Sequence, residues 1–239
     1  IIERRRDGKD IITGGRSCNR GVPQGGVLSP CLANLYLNEV SRWWRVGNYP
    51  GRYNGDLVQF ADDLVILVER NPEEVLSHLR YVLGLLGLEL NEEKSCITET
   101  RSGFEFLGFH FKYVSRRKNW RPIYPLMRPS ERSQKRFRER IKTMTCRYVQ
   151  KPLNLVVQEM NYYLQGWSNY YRIGNSSQVF GKLRHYVTNR LRRFVQKRRK
   201  GKGYGYAQYP NELLYKVFGL HYLSSSTPGI SSVHATGRR

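Results

Sequence analysis

Asp62 and Asp63 stand side by side between two short apolar, β-branched segments, Leu57 to Phe60 and Leu64 to Val68. That order reads as strand, tight turn, strand, with both carboxylates at the tip. Like charges so placed repel one another, so the pair needs a compensating partner. Magnesium is one such partner. It binds oxygen ligands, usually one or two carboxylates together with phosphates, and two such ions can clamp the attacking and leaving oxygens of a phosphoryl transfer. A solvated turn is the plain alternative for any isolated Asp-Asp. A second candidate lies upstream, where Gln24 precedes Gly25 and Gly26. Two residues without Cβ let another molecule approach the chain closely, and the Gln24 amide both donates and accepts. A simple turn is the alternative there.

The elements that must position these groups follow from periodicity and punctuation. Arg4 to Gly15 reads as a hairpin turning at Asp7-Gly8. Val27 to Val40 places apolar residues at 27, 28, 32, 35, 36, 37 and 40 behind the helix-entry pair Ser29-Pro30, which predicts one helix with that face inward. Asn71-Pro72-Glu73-Glu74 opens a second helix that stops at Gly87. Phe104 to Tyr113 alternates with aromatics and resumes strand character. Residues 1–114 therefore read as an α+β domain with an antiparallel sheet. Residues 115–129 carry Pro122, Pro125 and Pro129 and are expected to be a linker.

The remainder predicts a three-helix unit over 130–200. One helix is capped by Ser130 and a second starts at Pro152. A third, Gln178 to about Lys200, carries an inward stripe of Val179, Leu183, Tyr186, Val187, Leu191 and Phe194. That stripe leaves Lys182, Arg184, Arg190, Arg192, Arg193, Lys197 and Arg198 for solvent or ligand, with Arg199 following. Residues 201–239 read as a C-terminal extension that starts with a flexible Gly201 to Gly205 break and ends in a disordered tail from Ser224.

Charge separates the two parts. The 239 residues carry 41 Lys plus Arg against 19 Asp plus Glu, a net of +22. Residues 1–114 hold 14 basic and 15 acidic side chains, whereas residues 115–239 hold 27 and 4. After Glu139 the only acids are Glu159 and Glu212. Unpaired positive charge at that density seeks phosphates. Tyr162, Tyr163, Trp167, Tyr170 and Tyr171 could stack on bases, although helical spacing points most of them into a core. No apolar stretch approaches the length of a membrane span, the first residues lack a secretory pattern, and four scattered cysteines give no zinc spacing. A cytoplasmic or organellar interior is the expected setting.

Four motifs, in order, bear a family resemblance. Gly21-Val22-Pro23-Gln24-Gly25-Gly26-Val27-Leu28-Ser29-Pro30 resembles the reverse-transcriptase segment lining the template and nucleotide pocket. Phe60-Ala61-Asp62-Asp63 resembles its catalytic box. The stretch from Gly87 through Asn91 and Lys94 to Ser95 resembles the next palm motif, and Phe106-Leu107-Gly108-Phe109 the strand motif that grips the primer. Residues 130–200, particularly Gly166 to Arg172 and Leu183 to Lys200, are similar to the maturase, or X, domain of group II intron proteins. Retron and diversity-generating enzymes share the palm motifs, and the CRISPR-associated group II-like enzymes could share this thumb as well.

The resemblance implies the C-terminal part of a right-hand polymerase palm followed by an all-α thumb. It implies magnesium-dependent, RNA-templated DNA synthesis from a DNA primer and deoxynucleoside triphosphates, within a ribonucleoprotein. Asp62 would be the ligand shared between two ions and Asp63 the weaker one. Phe60 would sit under the primer end with Ala61 beside it, and Lys94 near the triphosphate, where an ordinary surface lysine is the alternative. The family's further metal-binding aspartate has no counterpart here, so a third carboxylate is expected from outside this sequence. The competing reading is an RNA-binding splicing factor whose polymerase site is unused.

Overall fold

The computed structural model describes residues 2–4, 10–12, 26–115, 122–146 and 150–225. It is a mixed α+β structure with small antiparallel sheets, divided into two compact units, Ile1–Ile97 and Thr98–Arg239. No helix among the described residues is long and apolar enough to cross a membrane.

In the first unit, β1 (Ile2–Arg4) pairs antiparallel with β2 (Asp10–Ile12), with Arg4 opposite Asp10. This is the expected hairpin, and its Asp7-Gly8 turn lies outside the described residues. Helix α1 (Ser29–Val46) starts at its Ser-Pro entry and runs past Val40 to bury Trp44. Its expected inward face is only partly used. Val40 enters the core with Leu37 against it, while Val27, Leu28, Leu32, Leu35 and Tyr36 stay exposed, because Leu79, Val82 and Leu83 pack on the later turns only.

A short α2 (Tyr49–Tyr53) leads into β3 (Asp56–Phe60) and β4 (Asp63–Leu67), paired antiparallel from Asp56 opposite Leu67 to Phe60 opposite Asp63. Helix α3 (Pro72–Leu85) then buries Val75, Leu79, Val82 and Leu83. Gly87, at φ 68°, ends it: its N–H bonds to Gly84 O, and Leu88 N–H to Leu83 O. That double bond pattern satisfies the last carbonyls and needs the left-handed backbone that glycine tolerates. The start differs from expectation. Asn71 caps nothing with its side chain; its amide donates to Glu74 instead.

The second unit opens with a three-stranded sheet in the order β5 (Phe104–Phe106), β6 (Phe109–Ser115), β7 (Pro122–Pro129). Strand β7 corrects the expectation of a linker over 115–129. Its prolines weaken periodicity, but β7 is an edge strand, where a missing N–H need cost no ladder bond. The compact division accordingly falls after Ile97, ahead of the whole sheet.

Three helices follow, α4 (Glu131–Met144), α5 (Leu153–Tyr171) and α6 (Ser177–Arg198). Ser130 caps α4 as expected, its hydroxyl accepting from Ser133 N–H at 3.2 Å. Phe137, Ile141, Met160, Leu164, Leu183 and Leu191 form the fully buried centre. Past α6 the chain does not trail away. Tyr209, Leu214, Leu220 and Leu223 are buried in the same core, around a π-helical turn at Leu213–Val217. Of the tail expected from Ser224, everything after Ser225 lies outside the described residues.

Candidate functional site

The β3–β4 hairpin is closed by the smallest possible connection. Phe60 faces Asp63 across the last pair, leaving Ala61 and Asp62 as the two turn residues. Ala61 takes φ 51°, the left-handed conformation that a tight hairpin with right-handed strand twist requires. A non-glycine residue there carries a cost of about 1 kcal/mol. Ala61, Asp62 and Asp63 are all exposed, and Phe60 is 60% exposed with its ring uncovered. Neither aspartate side chain takes a hydrogen bond or an ion pair from any described residue. Two adjacent carboxylates with no hydrogen bond or ion pair among the described residues, on a tip that exposes an aromatic ring, suit the carboxylate share of a magnesium ion bound jointly with phosphates. No group of three metal-ligating side chains occurs among the described residues.

The other expected residues of this unit are less gathered. Gln24 and Gly25 lie outside the described residues, while Gly26 precedes α1 and its carbonyl accepts from Ser29 N–H at 3.1 Å. Lys94 is exposed on a turn held by its own backbone N–H, which donates to the Asn91 side chain at 3.2 Å.

The Phe106-Leu107-Gly108-Phe109 motif is the turn between β5 and β6, with Phe106 opposite Phe109 and both central residues at positive φ, 49° and 77°. Its surroundings hold it tightly. Gly108 O accepts from Ser130 N–H and from the Ser133 hydroxyl, both at 2.9 Å. Tyr170 donates to Leu107 O and Tyr171 to Ser133 Oγ, again at 2.9 Å. Both tyrosines pack on Phe109. Burial, with Tyr171 beside it, pushes the Tyr170 phenol up, which keeps it a donor. A Cβ on Gly108 would lie 2.6 Å from Tyr171 Oη. Sequence reasoning missed Ser133, Tyr170 and Tyr171 as the residues that fix this turn, since a helical pattern alone gives no sign of a partner strand.

Helix α6 divides its basic residues into two sets. Lys182, Arg193, Lys197, Arg198 and Arg199 are exposed, although Arg198 also donates to Lys151 O at 2.6 Å. Arg184, Arg190 and Arg192 are committed within the protein. Arg192 corrects the expectation most plainly. It is 3% exposed, donating to Tyr209 O, Asn189 Oδ1 and Asn211 Oδ1 at 2.8, 2.7 and 2.6 Å. Arg190 reaches the end of α4, bonding Thr145 and Lys142 O, and Arg184 donates to Leu223 O. The physical reason is a second buried face. Phe180, Thr188, Val195 and Gln196 lie outside the expected stripe yet are buried, with the chain after α6 packed into the same core. Phe180 and Val195 were the apolar signal for that cover.

An open cleft of about 610 Å³ runs beside α6, lined by Lys142, Arg190, Arg193, Lys197 and Arg198 with the single acid Glu139. Among the aromatics of α5, Trp167 is buried and Tyr162 exposed, and Tyr163 half-buried.

Two family models match this chain. Residues 8–111 match the reverse transcriptase (RNA-dependent DNA polymerase) model, and residues 134–209 match the group II intron, maturase-specific domain. Protein YkfC of Escherichia coli (strain K12) is 32% identical over 39% of this chain and 32% of its own length, so the chain spans about a third of that relative. A match to the reverse-transcriptase model over the two-aspartate turn is thus followed in this chain by a match to the group II intron maturase-specific domain over its basic helices.

Proposed function

We propose that the protein containing this chain is an RNA-directed DNA polymerase with a maturase-type RNA-binding part, acting within a ribonucleoprotein inside the cell. The observation that carries the reading is the Asp62-Asp63 pair at the tip of a tight hairpin, without a partner among the described residues, within the segment that matches the polymerase model. In this reading the first unit and the β5–β7 sheet belong to the palm, and α4, α5 and α6 form the thumb.

Asp62 and Asp63 would hold magnesium, with a further carboxylate from outside these 239 residues. The ions, when bound, neutralise phosphate charge and align the primer hydroxyl with the incoming deoxynucleoside triphosphate. The chain's own residues position the reactants. Phe60 offers an exposed ring beneath the primer terminus, and Ala61 keeps the turn narrow beside it. Gln24, Gly25 and Gly26 line the template and nucleotide pocket, where absent side chains let a base pair approach. Lys94 neutralises or protonates departing pyrophosphate. The Phe106-Leu107-Gly108 turn braces the primer strand, and its anchoring to α4 and α5 carries that bracing into the thumb. The exposed bases of α6 take RNA phosphates.

The test is Asp62→Asn in the complete protein. An amide binds magnesium poorly, so primer extension on an RNA template should fall at least about a hundredfold. RNA affinity should stay as it was. Extension near the wild-type rate would overturn the metal assignment, and RNA binding without extension in the wild type would leave a binding role alone.

A further inference from the structure

Beyond α6 the chain folds into a loop that its buried partner Gln196 holds in place. The Gln196 side chain, 4% exposed, donates to Lys202 O at 2.9 Å. A Cβ on Gly201 would lie 2.4 Å from Gln196 Nε2, and one on Gly205 would lie 3.1 Å from both Gln196 Oε1 and Tyr209. Gly203 and Gly205 take φ 78° and 72°. The Gly201 to Gly205 stretch is therefore a shaped loop, which corrects its reading as a flexible break.

What the loop presents is a pair of tyrosines. Tyr204 and Tyr206 lie with ring centroids 6.2 Å apart, and each has a guanidinium over one face: Arg193 at 5.1 Å from Tyr204, Arg192 at 4.4 Å from Tyr206. Tyr206 is fixed at its far end too, donating to Asn189 Oδ1 at 3.0 Å. Rings pinned in this way are ordinarily core residues, yet these remain 59% and 53% exposed. Each is held by one face and open to solvent. No acid occurs between Glu159 and Glu212, while Lys197, Lys200 and Lys202 stand exposed around the loop.

We propose that Tyr204 and Tyr206 are a stacking platform for unpaired bases of an RNA strand whose phosphates follow Lys197, Lys200 and Lys202. The inference rests on the RNA-binding reading above and adds what that reading lacks, a preference for single-stranded over duplex RNA. Bases in a duplex already stack on one another, whereas unpaired bases gain a partner on an exposed ring. The arginines and the Asn189 bond hold the rings in place beforehand, so little ordering remains to oppose binding.

The experiment uses the whole chain, a short unstructured RNA and a duplex of the same length, with affinity followed across a salt series. Combined Tyr204→Leu and Tyr206→Leu should weaken single-strand binding about tenfold or more. Duplex affinity and the log-log salt slope should be unchanged, because every lysine that meets a phosphate is still in place. Combined Tyr204→Trp and Tyr206→Phe should keep single-strand affinity. Since Tyr206→Leu removes the bond to Asn189 and can loosen the loop, Tyr204→Leu is also read alone, and 5-iodouridine RNA is photocross-linked to the wild type. Cross-links at Tyr204 or Tyr206 support the platform. Unchanged single-strand affinity in the Leu variants, equal losses on both RNAs, or cross-links only elsewhere would overturn it and leave the RNA-binding reading intact. Failure of the wild type to bind any RNA would overturn both.

Discussion

Among single residues, the turn at Leu107-Gly108 is where one atom decides most. Gly108 is held by two hydrogen bonds to its carbonyl and by Tyr171 Oη, which occupies the place of a Cβ. Gly108→Ala should therefore cost about 2 kcal/mol of stability, from the left-handed backbone and from displacing the Tyr171 hydroxyl. Tyr171→Phe, which leaves Ser133 without one donor, should cost about 1 kcal/mol. Thermal unfolding of the two variants checks the order. Equal stability of Gly108→Ala and the wild type would mean the turn adapts freely. If the turn braces the primer as proposed, both changes should slow primer extension in the complete protein more than they weaken RNA affinity, because the helices' charge is untouched.

Among the elements, α6 is a helix buried on two faces, and this separates arginines that look alike in sequence. Arg192 is a buried cation satisfied by three acceptors, so Arg192→Ala should destabilise the protein by about 2 kcal/mol or more by leaving those acceptors unpaired. Lys182, Lys197 and Arg199 are exposed, and their joint replacement by Ala should leave stability nearly unchanged. RNA binding responds the other way. Replacing the exposed set should flatten the log-log salt dependence by roughly 0.7 to 0.9 for each phosphate that is no longer neutralised. Chemical denaturation paired with salt-series binding distinguishes the two sets. A slope unchanged by the exposed triple would show that this face points away from RNA.

For the molecule as a whole, Asp62 and Asp63 are just two carboxylates at a hairpin tip, one in the turn and one at the start of β4. Two ions held against a substrate need more carboxylate than such a pair supplies. Residues 1–239 alone should therefore extend no primer; primer extension with the purified chain is the check, and robust synthesis by it would require a third ligand within it. Much of this arrangement was legible in the sequence. The Asp-Asp turn, the Asn71-Pro72 start and Gly87 stop of α3, the Ser130 cap and the α6 stripe each rest on local chemistry: a left-handed backbone, a missing N–H, an orphan donor, a helical period. Local chemistry also limited what could be read. Prolines masked β7, since whether a proline is tolerated depends on the strand lying at an edge. The role of Arg192 depended on a segment that starts several residues later and folds back, and the duty of Tyr170 and Tyr171 depended on a turn some sixty residues earlier in the chain. Most of the apolar face expected of α1 stayed exposed because a stripe says which side of a helix is oily and not how far its partner reaches. The order of residues was enough to specify the elements and the chemistry they carry. Which charges face solvent and which are already engaged was settled by the folded chain alone, because burial is a property of distant segments meeting.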